Sequence, residues 1–331
     1  MDAPAPHSSP VDRLLTAVSG AAAIVALALV SSACGGGSTA QAQPQTQAET
    51  IQLPGAAVFY DFEHPVPGDP ALEQDQGSSG TPLMLVNGGA TMRVQDGAHP
   101  GSTMSLQTRQ VNPDAAGNDD WKAGVYLEGG VPSLAAFSGV EAVTIMGWVK
   151  PMGEHPAPNT ETPDPNDRYN AVGLMGLLSG NSDGHAVRAL LELIDVNGTL
   201  RLVALGRRLD PGQSRTYAAN TPWEELLPRD IWTFLAATFD FTTGEMALYR
   251  NGQPIDGFYT AGGDPWGLQS GEGQRGTSAT NPAGIKIGGS FPQNDRERNP
   301  FNGRFDDLAF FDRALTADEI RQYYDAVTAG Q

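Results

Sequence analysis

Residues Ile231–Phe258 read IWTFLAATFDFTTGEMALYRNGQPIDGF, and their pattern decides the fold. Ile231–Asp240 is an apolar and β-branched run ending at the turn-forming Phe241-Thr242-Thr243-Gly244. Glu245–Arg250 reads as a second strand. Asn251-Gly252 follows, a dipeptide in which both residues tolerate positive φ, as a type I′ hairpin turn requires. Gln253–Phe258 is the predicted third strand. Strands joined by such tight turns form an antiparallel meander.

The same reading extends in both directions. Glu141–Lys150 (EAVTIMGWVK) sets Val143, Ile145, Gly147 and Val149 against Thr144, Met146 and Trp148, a period of two that marks a strand. Ala56–Glu63, Ala171–Leu178, Ala186–Ile194, Gly284–Gly288 and Arg304–Phe311 are further strands, and Asn197-Gly198 turns the chain into another at Leu200–Leu205. Trp148 and Trp232 are expected in the core. Gly303 is expected where two backbones approach closely. A helical stripe occurs only at Ala317–Val327, where Thr316 and Glu319 have the spacing of a capping box. The prediction is an all-β, two-sheet antiparallel sandwich with one short C-terminal helix, spanning 53–331. Met152–Asn170 and Gly262–Pro282 are long segments without regular pattern, the kind that carries function or stays irregular.

Four segments occur in this order: VTIMGWVKP (143–151), WTFLAATFDFTTGEMALYRNGQPI (232–255), IKIGG (285–289) and FNGRFDDLAFFDRALTADEI (301–320). Together they resemble the laminin-G-like (concanavalin A-like lectin/glucanase) jelly roll of bacterial surface proteins. Tyr60-Asp61-Phe62-Glu63 and Val86-Asn87-Gly88-Gly89 are similar to the opening strand and loop of that family. The resemblance implies a jelly-roll sandwich with one concave sheet. It also implies a structural Ca²⁺ shared by an acidic residue of the first strand and an Asp of the last, here Asp61 or Glu63 with Asp306. The residues themselves leave two readings of Asp306-Asp307. Alternation in a strand sends one carboxylate inward or to a sheet edge, where it needs a partner such as Ca²⁺; otherwise the pair caps turns or meets Arg304 or Arg313.

The first fifty residues read as an address and a tether. Leu14–Val30 is apolar and Ala-rich and follows Arg13; it ends in Ser31-Ser32-Ala33-Cys34. That fits the apolar region of an export signal with small residues at its cleavage site. The position of Cys34, the single Cys of the chain, resembles a bacterial lipoprotein signal in which that Cys is acylated after cleavage. Plain secretion, cut after Ala33 or Ala42, and an uncleaved anchor are the alternatives. Residues 34–52 are polar and of low complexity, a flexible tether. The expected domains are 1–33 signal peptide, 34–52 tether and 53–331 jelly roll, placed in the cell envelope and held to a membrane through the lipid alone.

A formal net charge of −18 works against nucleic-acid or anionic-membrane partners, which need a basic face. A lone Cys excludes a disulfide framework and a Cys-based zinc site within one chain. Glycosidases of this fold resemble one another in a Glu-x-Asp-x-x-Glu strand that puts its carboxylates on one face. The nearest stretch here, Glu192–Asn197 (ELIDVN), sets its carboxylates at i and i+3, on opposite faces of a regular strand. His7, His64, His99, His155 and His185 form no H-E-x-x-H motif, and there is no G-x-S-x-G elbow. The expectation is therefore a non-catalytic module that recognises a glycan or an envelope or surface protein. Sugars stack on aromatic rings beside amides and carboxylates, so the candidate contacts are Tyr169, Trp266 with Asp264, and Asn294 with Asp295; Trp223 beside Glu224 and Glu225 is another aromatic of that kind. A purely structural envelope lipoprotein is the competing reading.

Overall fold

The computed structural model describes residues 55–109, 111, 119–127, 129–152, 172–178, 187–207, 214–260, 282–289 and 301–329. Its strands, in chain order, are β1 (Val58–Tyr60), β2 (Pro65–Val66), β3 (Asp69–Glu73), β4 (Leu83–Val86), β5 (Arg93–Val94), β6 (Ser105–Thr108), β7 (Lys122–Tyr126), β8 (Ala142–Pro151) and β9 (Val172–Leu178). They continue with β10 (Val187–Val196), β11 (Thr199–Arg207), β12 (Ser214–Ala219), β13 (Thr233–Asp240), β14 (Met246–Arg250), β15 (Gln253–Ile255), β16 (Gly257–Tyr259), β17 (Gly284–Ile287) and β18 (Gly303–Phe311). A one-turn helix α1 (Trp223–Leu226) precedes β13, and α2 (Ala317–Thr328) follows β18.

The strands form two antiparallel sheets. The first runs β15-β14-β13-β8-β18-β6-β5, with β1 also on β18; the second runs β16-β12-β11-β10-β9-β17-β7-β4-β3-β2. This is the expected two-sheet sandwich. Its main core lies between the sheets: Ile145, Leu235, Phe239, Phe305 and Leu308 of the first sheet are fully buried in one cluster with Leu177, Leu191 and Ile285 of the second. A second apolar layer lies on the outer side of the first sheet. There Met146, Trp148, Phe234 and Ala309 pack with Ile320, Tyr323 and Val327 of α2. Strand β8 is apolar on both faces for this reason, since one face meets the other sheet and the other meets the helix.

The turns follow their sequence. Asn197-Gly198 and Asn251-Gly252 all have positive φ, between 49° and 80°. The capping box of α2 is present: Thr316 Oγ1 accepts from Glu319 N–H (3.2 Å), and Glu319 Oε2 accepts from Thr316 N–H (2.8 Å).

Two expectations need correction. Gln253–Phe258 is not one strand but two: β15 pairs with β14 in the first sheet, and after Asp256 the chain enters the second sheet, where β16 pairs with β12. Gly257 permits the crossing, because a Cβ there would overlap the Ala218 carbonyl. The chain between Asp69 and Tyr126, with no strong alternation, nevertheless supplies the five strands β3 to β7.

Gly303 begins β18 between β6 and β8, and a Cβ on it would meet the Lys150 carbonyl oxygen at 2.5 Å as well as the Phe301 ring. Neither neighbour can retreat, because one is backbone and Phe301 is fully buried. Gly303→Ala is therefore expected to cost about 1–3 kcal/mol in urea unfolding, the range for overpacking; an unchanged midpoint would contradict this account of the strand junction.

Candidate functional site

The polar centre of the molecule is a bulge in β18. Asp306 stands opposite Trp148, but Ala309, three residues on, stands opposite Met146, only two back. One extra residue is accommodated, and Asp307 takes φ 46° to do so. The bulge overturns the expectation from simple alternation. Phe305 and Leu308 point into the inter-sheet core, while both carboxylates point to the outer side, beneath α2 and residues 98–102, and are 0% and 3% exposed.

Each carboxylate is met by protein donors. Asp306 Oδ2 accepts from Ala98 N–H (2.8 Å) and Ser102 Oγ–H (2.6 Å), and its Oδ1 accepts from Asp307 N–H (2.9 Å). Asp307 Oδ2 accepts from His99 Nε2 (2.6 Å) and from the Tyr323 hydroxyl of α2 (2.9 Å). His99 Nδ1 accepts from Gly101 N–H (3.2 Å), an arrangement that leaves Nε2 carrying the proton. Burial, with the Asp307 charge beside it, pushes the Asp306 carboxyl well above the usual range. Burial also raises the Tyr323 phenol, so it stays a neutral donor.

A second cluster adjoins the end of β1. The Asp61 oxygens lie 2.9 Å from His64 Nδ1; Glu73 Oε1 accepts from His64 N–H (2.9 Å), and Glu73 Oε2 pairs with Arg93 Nη2 (2.5 Å) and Nε (2.8 Å). The Arg93–Glu73 pair joins β5 of the first sheet to β3 of the second. Burial raises the Asp61 carboxyl and pushes Glu73 up to about 7 against the pull of Arg93.

The expected Ca²⁺ ligands can be tested for fit on these contacts. Both oxygens of Glu63 face donors of the 103–104 segment: Thr103 N–H (2.6 Å), Thr103 Oγ1–H (2.8 Å) and Met104 N–H (2.7 Å). Asp306 is equally occupied. Among the described residues Asp61 belongs to a group of three ligating side chains, its oxygen, His64 Nδ1 and a Glu73 oxygen all within 4.8 Å of one another. The Arg93 guanidinium already occupies Glu73 Oε2 of that set, and His64 Nδ1 faces Asp61. A hard dication wants 6–8 oxygens free of competing donors, so Asp61, Glu63 and Asp306 as bonded here do not make a calcium site.

The nearest counterpart of a glycosidase centre is Glu192. It is 4% exposed on β10, opposite Val203 of β11 and Gly173 of β9. Strands β7, β9, β11 and β17 bring no carboxylate to it. What approaches is a cation: Lys286 Nζ of β17 lies 3.8 Å from where a Cβ on Gly173 would stand. Paired-carboxylate hydrolysis needs a second acid across the substrate, and these strands supply none.

Tyr169, Asp264, Trp266, Asn294, Asp295 and Cys34 lie outside the described residues. Trp223 is no loop contact: it sits in α1, 7% exposed, within the inter-sheet core. The sequence reading also missed His64, Glu73, His99 and Tyr323. Tyr323 alone carried a signal, as a polar-tipped aromatic on the buried face of α2. His64 meets Asp61 three residues back, but Glu73 meets its partners 9 and 20 residues away and His99 meets Asp307 208 residues away, beyond the reach of local pattern.

Two measurements follow from these contacts. Glu73 binds its proton more tightly folded than unfolded, so its contribution to stability is complete below about 4.5 and is lost as pH rises toward about 7. Melting temperature should therefore decline across that window more steeply in the native protein than in Glu73→Gln; parallel profiles would refute the assignment. Melting temperatures in Ca²⁺ and in EDTA should coincide, whereas a Ca²⁺-dependent rise would show the cation displacing the donors on Glu63 and Asp306.

Similarity searches agree with this architecture. The sequence profile of the Laminin_G_3 family, described as "Concanavalin A-like lectin/glucanases superfamily", matches residues 130–321. No curated protein matches the sequence. Among solved structures, the botulinum neurotoxin serotype G binding domain is similar, with TM-score 0.50 and 11% identity over 81% of this chain and 50% of that one. The botulinum neurotoxin DC binding domain in complex with rat synaptotagmin II gives TM-score 0.48 and 12% identity over 83% and 52%. A heptameric SAP-like pentraxin of Limulus polyphemus gives TM-score 0.36 and 15% identity over 58% and 73%. The chain spans about half the length of the neurotoxin domains it matches. At such identities the likeness concerns the fold. The profile covers more than half of the 331 residues, and with the two-sheet sandwich in place the chain belongs to the laminin-G-like family of the concanavalin A-like lectin/glucanase superfamily.

Proposed function

We propose that this chain is a non-catalytic binding module of the cell envelope, recognising a glycan or a surface protein and tethered through a lipid on Cys34. The observation that carries the reading is how its buried acids are used. Asp61, Glu73, Asp306 and Asp307, with the half-buried Glu63, all serve as acceptors that hold loops, strands and α2 in place. Glu192 stands without a second carboxylate on the strands flanking it. A sandwich whose acids are bound up in its own architecture offers surfaces rather than reactive groups.

Membership of a lectin and glucanase superfamily supports recognition of saccharides. The neurotoxin domain that is similar at TM-score 0.50 is described as a binding domain, which is consistent with the same use of the fold. The tether rests on the sequence alone, on Cys34 after Ser31-Ser32-Ala33.

The test is a glycan array probed with the mature chain, in Ca²⁺ and in EDTA. Saturable binding to a defined saccharide class, in both conditions and without turnover of the bound sugar, is expected. A silent array would overturn the glycan reading, and release of reducing ends from the bound glycan would overturn the non-catalytic one.

A further inference from the structure

On the outer side of the first sheet, α2 and residues 98–102 cover the face as far as the row Phe234–Trp148–Asp306. One row beyond, four side chains stand in register. Gln107 of β6 is opposite Arg304 of β18, Arg304 is opposite Lys150 of β8, and Trp232, just before β13, has Lys150 Nζ 5.5 Å from its ring centroid. These strands are antiparallel neighbours, so the side chains fall on the same side of the sheet.

The bonding within the row is unequal. Lys150 Nζ (2.8 Å) and Arg304 Nη1 both donate to one oxygen, Asp96 Oδ2. Gln107 Oε1 accepts from Arg304 Nε (3.0 Å), while the Gln107 amide is itself held by the carbonyls of Thr108 (2.8 Å) and Gly303 (3.0 Å). The guanidinium is thus fixed in orientation from two sides. Its Nη2, and the remaining ammonium hydrogens of Lys150, make no hydrogen bond among the described residues. The Lys150 and Arg304 side chains keep 14% and 22% exposure. Among the described residues one carboxylate therefore answers two cations in this row, in a chain of net charge −18. Beside it stands the half-buried Trp232, with Ile231, 55% exposed, preceding it in the chain. Trp232 was expected in the core; it instead borders the solvent at the edge of the outer apolar layer.

We propose that the row Gln107–Arg304–Lys150–Trp232 binds the carboxylate of an acidic saccharide, with the sugar's C–H face against Trp232. The inference rests on the binding-module reading and names its ligand class. A uronate unit joins a carboxylate to a rigid ring with an apolar face, the two features this patch sets side by side. An acidic peptide offers a carboxylate on a flexible stem and no such face. Arg304 and Lys150 are the contacts; Gln107 and Asp96 are positioning residues that hold the guanidinium.

The experiment titrates the full chain with galacturonate and glucuronate oligomers, their methyl esters and polyglutamate, read by calorimetry and tryptophan emission. Saturable, salt-sensitive binding of at least one uronate oligomer is expected. Esterification should abolish it, and Arg304→Gln or Lys150→Gln should weaken it at least about tenfold, the effect of losing one charge-assisted contact. Melting curves check that the variants fold, and Trp232→Leu, which removes the ring beside Lys150, should also weaken binding. Equal affinity for the esters, unchanged affinity in all three variants, no binding of either uronate oligomer, or a preference for polyglutamate would overturn the proposal. Array binding of neutral sugars unaffected by these variants would sink this inference alone, while a silent array would sink the glycan reading on which it rests.

Discussion

The structure depends on two adjacent carboxylates that cannot both face water. Asp306 and Asp307 sit in the strand that pairs with β1, β6 and β8 at once, and the extra residue at the bulge turns both to the same side. A buried acid without donors costs several kcal/mol. The chain meets that demand with groups from three places: the 98–102 segment, the backbone of the bulge, and the hydroxyl of Tyr323 on α2. Those donors are also what fastens the segment and the helix to the outer face. The aromatic layer of Trp148, Phe234, Tyr323 and Tyr324, with centroids 5.3–5.9 Å apart, forms around the same anchor.

The same logic recurs wherever the chain leaves regular pairing. Asp75 accepts from Phe59 N–H, Gly77 N–H, Ser79 Oγ–H and Thr81 N–H, and so organises the segment after β3. Asp240 takes the amides of Thr242 and Thr243 at the turn into β14. In a protein of many short strands the loops hold backbone donors that no ladder satisfies, and short acidic side chains are the acceptors that reach them. An excess of acid here is thus partly architectural, and the row on the first sheet where, among the described residues, two cations share one carboxylate stands out against it.

Period-two alternation made the central strands legible. Both faces of β8 and β13 are buried behind a near-continuous apolar run, and Asn-Gly marks the turns of β10–β11 and β14–β15. Helix α2 was legible to the cap, because a capping box and an amphipathic face are local. The strands between Asp69 and Tyr126 were not, because they hold Gly, Pro and charged groups and owe their conformation to neighbours remote in sequence. Asp306 and Asp307 were visible as an oddity, but alternation pointed to the wrong geometry, since a bulge is set by the register of β8 and leaves no mark in β18 itself. His99 was illegible: its carboxylate partner is 208 residues away. Gln107, Arg304, Lys150 and Trp232 likewise come from four separate segments, and only strand register reveals that they share a row.

The coupling of Asp307 to the helix tests this account most directly. A double-mutant cycle between Asp307→Asn and Tyr323→Phe, read by urea unfolding, should give an interaction energy of about 1–3 kcal/mol, as for contacting residues in one hydrogen-bond network. Effects that add to within about 0.3 kcal/mol would mean that the two groups act independently, and that the bulge carboxylates do not hold the helix to the sheet.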